Sequence, residues 1–215
     1  MNFKTMLLAG AALALANAAY AQENEANIEQ TGTDSDVVVE QDGDRNAIGA
    51  APRPNAPPFL TTGTNNDAVL IQNGNDNEIG RGFSRLDGTD NFLRIEQIGN
   101  RNDVGAVRLQ GSNNDVRLTQ DGNDNDIGLA RSYGDTGTVR ALQDGNRNEL
   151  NFRQGGEGNT LRVTQDGNDN EVDATGTGFG DPGQNGSDNS AVIEQDGNEN
   201  FATFRQEAGS DNNAL

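Results

Sequence analysis

Residues 160–172 read Thr-Leu-Arg-Val-Thr-Gln-Asp-Gly-Asn-Asp-Asn-Glu-Val, and this stretch decides the fold. Apolar residues alternate with polar ones up to Gln165, and the alternation resumes at Val172, two residues after Asn170. Alternation with a period of two predicts a half-buried strand. The Gly and Asn between the two runs favour a tight turn, because they accept positive φ and because Asn and Asp side chains can hydrogen-bond their own backbone. The stretch therefore predicts a strand, a tight turn and a second strand.

The same arrangement recurs seven times along the chain. In every copy a Gln is followed two residues later by Gly, and three residues after that Gly stands an Asn. Successive copies of the Gln lie 22 to 31 residues apart. The recurring positions are Gln41, Gln72, Gln97, Gln120, Gln143, Gln165 and Gln195, then Gly43, Gly74, Gly99, Gly122, Gly145, Gly167 and Gly197, then Asn46, Asn77, Asn102, Asn125, Asn148, Asn170 and Asn200. Such regularity is typical of stacked repeat architectures.

We therefore predict an all-β fold, a β-solenoid of about seven stacked strand-turn-strand repeats with cross-β geometry. A single hairpin cannot bury its apolar face, whereas stacked two-stranded rungs close two sheets around a thin shared core. The inward Gln and Asn side chains are expected to form hydrogen-bonded ladders. The repeat domain is predicted to cover residues 22–215. Its units start near residues 35, 66, 91, 114, 137, 159 and 189, and loop insertions at 52–64 and 175–186 lie between the second strand of one unit and the first strand of the next.

The N-terminal residues have the features of a secretion signal. Lys4 supplies a positive start, residues 6–16 are apolar and uncharged, and residues 19–21, Ala-Tyr-Ala, fit a small-x-small cleavage site. The apolar run is shorter than the roughly 20 residues that cross a bilayer. We therefore predict a signal peptide over residues 1–21, a secreted mature chain, and no transmembrane segment after cleavage.

The composition argues against several classes of function. The chain carries 15 Lys and Arg against 34 Asp and Glu, a formal charge of -19, which argues against nucleic acid because phosphate binding needs a basic surface. It has no Cys and no His, so thiol chemistry, Cys/His metal sites and the usual general base are missing. We predict that the protein is not an enzyme and has no catalytic residues, no metal site and no cofactor.

The unit resembles the curlin repeat of curli fibre subunits, whose pattern is Ser-x5-Gln-x-Gly-x2-Asn-x-Ala-x3-Gln. The resemblance is carried by Gln-x-Gly-x2-Asn, which is present seven times, and by the two-strand unit. It implies a functional amyloid on the surface of a Gram-negative bacterium, with roles in adhesion and biofilm matrix formation. It also implies passage through an outer-membrane secretion channel and self-assembly into fibres, started by a nucleator or companion subunit.

The match to this pattern is incomplete at its outer positions. The opening Ser is kept only as Ser35, and the other units have Asn or, in one unit, Gly137. The second Gln is matched at Gln154 and Gln206. At the same spacing the remaining units have Pro52, Phe83, Arg108, Arg131 and Gly176. Most units are therefore imperfect curlin repeats.

Charged residues recur in register on the predicted outer faces. Three residues before the Gln, the four central units have Arg94, Arg117, Arg140 and Arg162. One residue after the Asn, five units have Glu78, Asp103, Asp126, Glu149 and Glu171. Stacked like charges are unfavourable. These columns are expected either to slow premature assembly or to form complementary faces along which protofilaments pair.

In the turn, the residue two positions after each Gly alternates in sign. The series is Arg45, Asp76, Arg101, Asp124, Arg147, Asp169 and Glu199. Opposite charges stacked at the rung spacing attract, and a slip of one rung would place like charges together. We predict that this series fixes the register of the stack.

A secreted calcium-binding β-solenoid adhesin is the alternative function. Turns such as residues 121–126, Asp-Gly-Asn-Asp-Asn-Asp, cluster the oxygen ligands that Ca²⁺ prefers. The chain lacks the Gly-Gly-x-Gly-x-Asp nonapeptide and the loop Asp-x-Asp-x-Asp-Gly with its distant Glu. Fibre formation is therefore the favoured interpretation.

Within a fibre, we expect loss of a ladder Gln to slow assembly most at the ends of the stack, at Gln41 and Gln195.

Overall fold

The computed structural model describes residues 2–8, 11–17, 23–49, 58–80, 82, 84–133, 137–174, 184–206 and 213–214. These residues form two parallel β-sheets that face each other, and every strand pairs with the equivalent strand of the next repeat. The all-β, solenoid-like fold predicted from the repeat is confirmed. Within the described segments, no helix has the length and apolarity needed to cross a membrane.

Sheet 1 contains the strand that precedes each Gln-x-Gly-x2-Asn turn. Its nine strands are β2 (Ala11–Asn17), β4 (Ser35–Asp42), β7 (Asp67–Asn75), β10 (Phe92–Asn100), β12 (Leu118–Asn123), β14 (Thr138–Asn146), β16 (Thr160–Asn168), β19 (Ser190–Asp196) and β21 (Asn213–Ala214). They stack in chain order, and the chain crosses from each strand of sheet 1 to the next through sheet 2.

Sheet 2 contains the strand that follows each of these turns. Its twelve strands are β1 (Asn2–Leu8), β3 (Glu25–Thr33), β5 (Ala47–Ile48), β6 (Phe59–Thr64), β8 (Glu78–Ile79), β9 (Arg85–Thr89), β11 (Asp103–Ser112), β13 (Asp126–Tyr133), β15 (Glu149–Gly155), β17 (Glu171–Ala174), β18 (Gln184–Asn185) and β20 (Phe201–Thr203). One rung of the coil consists of one strand of sheet 1 and one layer of sheet 2, which in three rungs is divided into two strands: β5 with β6, β8 with β9, and β17 with β18.

The register places like residues over like. Between β14 and β16, Thr138 pairs with Thr160 and Gln143 with Gln165, without a shift. The alternation predicted from the sequence is the burial pattern of the strands, since side chains of one strand point alternately to the core and to solvent. Leu161 and Val163, for example, are buried while Arg162 between them is exposed.

The core is a thin apolar layer between the sheets. It includes the paired positions that the sequence indicates, such as Leu93 and Ile95, and also the two largest fully buried side chains, Phe59 and Phe152. Burying one such side chain contributes roughly 1.5–3 kcal/mol. At the C-terminal end Ile193 is only partly buried, because β21 covers only the start of β19.

The two insertions interrupt sheet 2 instead of following it. The sequence prediction places a loop at 52–64, but residues 59–64 form β6. β5 and β6 pair with the same strand β3, at Ala26↔Ile48 and then Ile28↔Phe59. The chain therefore leaves the sheet in mid-strand and returns to it. Residues 184–185 of the second predicted insertion, 175–186, likewise form β18 on β15; residues 50–57 and 175–183 lie outside the described residues.

Because of a one-residue bulge in sheet 2, two of the predicted positions of the second Gln, Arg108 and Arg131, are wrong by one residue. The register between β13 and β15 shifts between Ile127 and Leu129, so counting a fixed distance from the turn Asn goes wrong by one residue. Arg108 and Arg131 pair with Arg85 and Arg153; Pro52, Phe83 and Gly176 lie outside the described residues. The column that holds the second Gln is Gln30, Thr61, Leu86, Leu109, Ser132, Gln154, Gln184 and Gln206.

The predicted signal peptide contributes the first rung. β1 pairs with β3 from Asn2↔Glu25 to Leu8↔Thr31, and β2 pairs with β4 from Ala11↔Ser35 to Asn17↔Gln41. Cleavage after residue 21 remains a prediction. Removal of these two strands would leave β3 and β4 as open edges of the stack.

Candidate assembly site: the amide ladders and the ends of the stack

The seven predicted Gln residues form one continuous ladder inside sheet 1. Six hydrogen bonds join them, from the Nε2 of each Gln to the Oε1 of the next, at 2.8 Å for the first and 2.9 Å for the other five. The Nε2 also donates to a backbone carbonyl of sheet 2, as from Gln143 to Asp126 at 3.1 Å. A buried amide left without partners costs about 1–3 kcal/mol, so the ladder satisfies groups that the core could not otherwise hold.

The seven predicted Asn residues form a second ladder at the turn. The Oδ1 of Asn102 accepts from the backbone N–H of Asn125 at 3.2 Å, and the Nδ2 of Asn102 donates to the carbonyl of Gly122 at 2.9 Å. Both bonds lead to the following rung. Asn24 lies one rung before Asn46, the first of the seven, and makes the same contact: its Oδ1 accepts from the backbone N–H of Asn46. Each Asn thus fastens its own rung to the next one.

The seven predicted Gly residues allow the turns to stack. Gly122 has φ +122°, and a Cβ built on it would lie 1.8 Å from the carbonyl oxygen of Gly145 in the next rung. The first six Gly positions share this close approach, at 1.8–2.0 Å, whereas a Cβ on Gly197 would meet only the Nδ2 of Asn200 at 3.7 Å. Gly is therefore required by the next rung as well as by φ.

The second positive-φ position of the turn is not the Asn that the turn chemistry suggests. It is the charged residue of the alternating series, from Arg45 at φ 57° to Glu199 at φ 58°. The Asn side chains are instead held by the ladders. The charged residues pair in twos: Nε and Nη2 of Arg101 lie 2.6 and 2.7 Å from the two carboxylate oxygens of Asp124. Arg45 with Asp76, and Arg147 with Asp169, repeat this geometry.

These fork-like contacts change the acidity of the aspartates. Hydrogen bonds from Arg101 lower the pKa of the Asp124 carboxyl below its ordinary value, against the opposing effect of desolvation. The pKa of Asp76 is lowered in the same way by Arg45, and that of Asp169 by Arg147. The predicted register series therefore acts as three separate pairs, each joining two neighbouring rungs.

Two further amide columns were not identified from the sequence. One is the Asn directly after the turn Gly, where the Nδ2 of Asn100 donates to Asn123 at 2.9 Å. The other lies at the opposite turn, where the Nδ2 of Asn114 donates to Asn91 at 2.8 Å. The signal for the second column is present in the sequence, because Gly-x2-Asn recurs half a repeat after six of the seven first turns, at Gly63, Gly88, Gly111, Gly156, Gly186 and Gly209. A search for the longer Gln-x-Gly-x2-Asn pattern passes over it.

Three of the residues considered as calcium ligands already accept hydrogen bonds within the stack. In residues 121–126, Asp124 accepts from Arg101, Asn123 accepts from Asn100, and Asn125 accepts from the backbone N–H of Asn148. Within the described residues, no group of three or more acidic side chains converges as a metal site would require. The geometry of these turns favours stacking over ion binding.

The two ends of sheet 2 carry matching sequences. Residues 24–30 are Asn-Glu-Ala-Asn-Ile-Glu-Gln, and residues 200–206 are Asn-Phe-Ala-Thr-Phe-Arg-Gln. Gln30 and Gln206 belong to one column of the stack, and so do Glu25 and Phe201. Asn, Ala, an apolar residue and Gln therefore recur at the same positions of the first and last strands of the repeat domain in sheet 2.

The open hydrogen-bonding groups at these ends are of opposite kind. Among the described residues, the buried Oε1 of Gln30 has no hydrogen-bond partner, and the same is true of Gln41 at the start of the sheet 1 ladder and of Gln154 inside the column. At the other end, the Oε1 of Gln206 accepts from Gln184 and its Nε2 donates to the carbonyl of Ser190. The last rung also borders a cavity of about 550 Å³ lined by β19, β20 and Phe204, and Phe201 is 64% exposed. The outermost glutamines are thus Gln30 and Gln206, half a turn beyond Gln41 and Gln195.

Comparison with known proteins identifies the repeat. The family model of the Curlin associated repeat matches residues 88–122 and 186–215, which include the units of Gln97 and Gln195. A search of curated proteins found no match. The resemblance to the curlin-repeat family is confirmed. In general terms the repeat is that of curli fibre subunits, which are structural and not enzymatic.

Proposed function

We propose that the mature chain is the exported structural subunit of a curli-like functional amyloid fibre, which serves surface adhesion and biofilm matrix formation outside a Gram-negative cell. The observation that carries this proposal is the match between the two ends of sheet 2. The last strand, residues 200–206, and the first strand after the predicted leader, residues 24–30, have the same inward pattern in the same columns.

A second copy that continues the coil would place residues 24–30 on residues 200–206. Gln206 would then donate to the unpartnered Oε1 of Gln30, and Ala26 and Ile28 would cover the half-exposed Ala202 and Phe204. Without the leader, both ends are parallel edge strands, and such edges recruit further strands unless they are blocked. Addition of a copy therefore extends both the apolar core and the amide ladders.

Charge supports the same joint. Glu29 and Arg205 precede these two glutamines and are exposed on the outer face of sheet 2. In the joint they would be neighbours on adjacent strands, where opposite charges attract. The joint therefore combines a hydrogen bond, apolar contacts and an ion pair over one strand.

The export route is proposed from the resemblance and from the leader. Residues 1–21 would direct the chain out of the cytoplasm, and an outer-membrane secretion channel would release it to the surface. A nucleator or companion subunit would present the first edge, since an edge strand grows only on a template of matching register.

The test is a charge-reversal cycle across the joint in chains that begin at residue 22. Wild-type protein diluted from denaturant is expected to form dye-binding fibres with a reflection near 4.8 Å. Arg205→Glu and Glu29→Arg should each lengthen the lag at least fivefold, and the double variant should recover most of the wild-type rate. Arg153→Glu, the same charge change on sheet 2 away from the ends, is the control.

Two results would contradict the proposal. Wild-type protein that remains a soluble monomer for days at micromolar concentration is not a fibre subunit. Fibres that form equally fast in all four variants do not grow through this joint.

A further inference from the structure

Three consecutive rungs of sheet 1 present a regular grid of exposed side chains. In these rungs the outward residues form three columns, which we name the Arg column, the middle column and the Asp column. They are Arg117, Arg140 and Arg162, then Thr119, Leu142 and Thr164, then Asp121, Asp144 and Asp166. All six charged side chains are exposed, and Leu142 is 39% exposed.

The grid is confined to the rungs in which both charged columns are present. One rung earlier the middle column has Glu96 and the Asp column has Ile98, while one repeat later the Arg column has Val192 and the middle column has Glu194. Only the three central rungs therefore combine a cation, a neutral residue and an anion on one strand. Their sequences are Arg-Leu-Thr-Gln-Asp, Arg-Ala-Leu-Gln-Asp and Arg-Val-Thr-Gln-Asp.

The charges of the grid are poorly compensated within one molecule. Arg140 lies beside Arg162, and Asp144 lies beside Asp166, at the rung spacing of about 4.8 Å. Arg117 makes two contacts at 3.4 Å with the carboxylate of Asp115, two residues earlier, and its guanidinium lies 6.0 Å from the centre of the Phe92 ring. In the part of the chain that the structure describes, however, no ion pair involves Arg140, Arg162, Asp144 or Asp166. Like charges stacked in this way repel one another.

We propose that the grid is a self-complementary surface through which two fibres pair side by side, sheet 1 against sheet 1. A two-fold axis parallel to the stack reverses the strand direction and keeps the rung direction. When the axis passes through the middle column, the Arg column of one copy faces the Asp column of the other, and the reverse holds on the other side. Each rung then contributes two Arg–Asp pairs across the interface, with Thr or Leu at its centre.

The spacing of the two charged columns brings each Arg of one fibre opposite an Asp of the other. Both columns come from the same strands, so their axial steps are identical, and they stand four residues apart, about 13 Å. An anionic polymer would meet the Arg column but would also face the Asp column on the same surface, in a chain with a formal charge of -19. A second copy of this chain is therefore the better partner.

The size of the grid indicates that fibres pair, not single molecules. Three rungs of five residues cover a few hundred square ångströms, well below the 1,200–2,000 Å² of total surface that stable complexes usually bury. In a fibre the grid recurs once per subunit along both partners, and linked sites strengthen one another without new contacts. The inference thus rests on the proposed fibre, and it adds a lateral interface to it.

The pairing is tested by fibre width. Fibres of the chain from residue 22 onward are imaged by electron microscopy, with dye binding to show that fibres are present. Wild-type fibres at low ionic strength should be mostly double, and at about 0.5 M NaCl, where screening acts within a few ångströms, they should be single. Variant A carries Arg117→Asp, Arg140→Asp and Arg162→Asp, and variant B carries Asp121→Arg, Asp144→Arg and Asp166→Arg. Each alone should reduce the double fraction at least fivefold.

Variants that should regain double fibres distinguish the proposed interface from a general effect of charge. The chain that carries all six substitutions keeps a self-complementary face, and its fibres should again be double. Preformed fibres of A mixed with preformed fibres of B should also pair. Arg85→Asp, Arg108→Asp and Arg153→Asp together make the same charge change on sheet 2 and should leave the width unchanged. If A or B forms no fibres, the milder sets Arg→Gln and Asp→Asn at the same six positions replace them.

The possible outcomes distinguish failure of the pairing from failure of the proposed function. Single wild-type fibres at every salt concentration, or a six-fold variant that stays single, would overturn the pairing and leave the proposed function intact. If wild-type protein forms no fibres, the proposed function fails and the pairing fails with it.

Discussion

A matched pair of glycine substitutions tests whether the turns are held by the rung that follows them. Gly122 and Gly197 occupy the same position of the repeat, with φ +122° and +103°, so Ala at either site meets the same kind of backbone strain. They differ in the neighbouring rung: the carbonyl oxygen of Gly145 would be 1.8 Å from a Cβ at 122, whereas no atom of the described residues would lie closer than 3.7 Å to a Cβ at 197. Comparing the two therefore isolates the cost of crowding between rungs.

The magnitude follows from the bonds that cross this gap. A Cβ contact below 3.0 Å is not tolerated, so the two rungs must separate locally by about 1 Å. Hydrogen bonds donated by three side-chain amides span them at this turn: Gln120 to Gln143 at 2.9 Å, Asn123 to Asn146 at 3.0 Å, and Asn125 to Gly145 at 2.9 Å. At about 1 kcal/mol net for each bond, Gly122→Ala should cost roughly 3 kcal/mol more than Gly197→Ala.

The assay is equilibrium unfolding in urea at submicromolar concentration, directly after dilution and before fibres form. Both variants should unfold at lower urea than the wild type, and the midpoint for Gly122→Ala should be clearly the lower of the two. Equal midpoints would show that φ strain alone sets the cost and that the rungs are not closely stacked at this turn.

Four further predictions follow from the ends, the turns and the leader. Gln30→Ala and Gln206→Ala should each lengthen the lag of assembly, because each removes one side of the joint. Leu109→Ala, in the same column but inside the stack, should mainly lower the stability of the monomer. Equal lags for all three variants in dye-binding kinetics would refute this. The aspartate pKa values are lowered in the folded state, so the three Arg–Asp pairs stabilise the fold above the ordinary carboxyl pKa and lose this effect as the pH falls through the lowered values. The difference in urea midpoint between wild type and the triple variant Asp76→Asn, Asp124→Asn and Asp169→Asn should therefore shrink from pH 6 to pH 2.5, and a constant difference would contradict it. Removing calcium with a chelator should leave folding and assembly unchanged, since Asn123, Asp124 and Asn125 and their equivalents accept hydrogen bonds from neighbouring rungs. Unfolding on chelation, followed by circular dichroism, would favour the calcium-binding adhesin instead. Chain 1–215 should elongate far more slowly than chain 22–215, because β1 and β2 cover the edges of β3 and β4, and equal rates would show that the leader does not occupy those edges during assembly.

The repeat was predictable because its residues have local reasons to recur. Gln165 and its six equivalents lie at inward positions of alternating strands, and only a stack of like over like can satisfy seven buried amides. Gly167 and its equivalents mark the turns for a reason that is partly non-local, the carbonyl of the next rung. Periodicity in the sequence therefore indicated both the solenoid and the ladder.

Counting residues was enough for the ends of the joint but not for the column between them. Gln30 and Gln206 each stand six residues after an Asn, Asn24 and Asn200. Insertions and a bulge lie inside sheet 2, so the same distance from the turn Asn placed Arg108 where Leu109 belongs and missed Thr61 and Gln184. The strand pairing is needed to follow the column from Gln30 to Gln206. The sequence placed opposite charges on neighbouring rungs but left open whether Arg101 pairs with Asp76 or with Asp124; in the structure it pairs with Asp124.

The central claim is that each subunit continues the coil of the last, with residues 24–30 seated on residues 200–206. Electron cryomicroscopy of fibres grown from chain 22–215 tests it most directly. Sheet 2 has eight layers from β3 to β20, so at about 4.8 Å per layer the account predicts a subunit rise of about 38 Å, parallel strands throughout, and Gln206 of one copy hydrogen-bonded to Gln30 of the next. Antiparallel packing of the subunits, or a joint in which another strand covers residues 200–206, would contradict it.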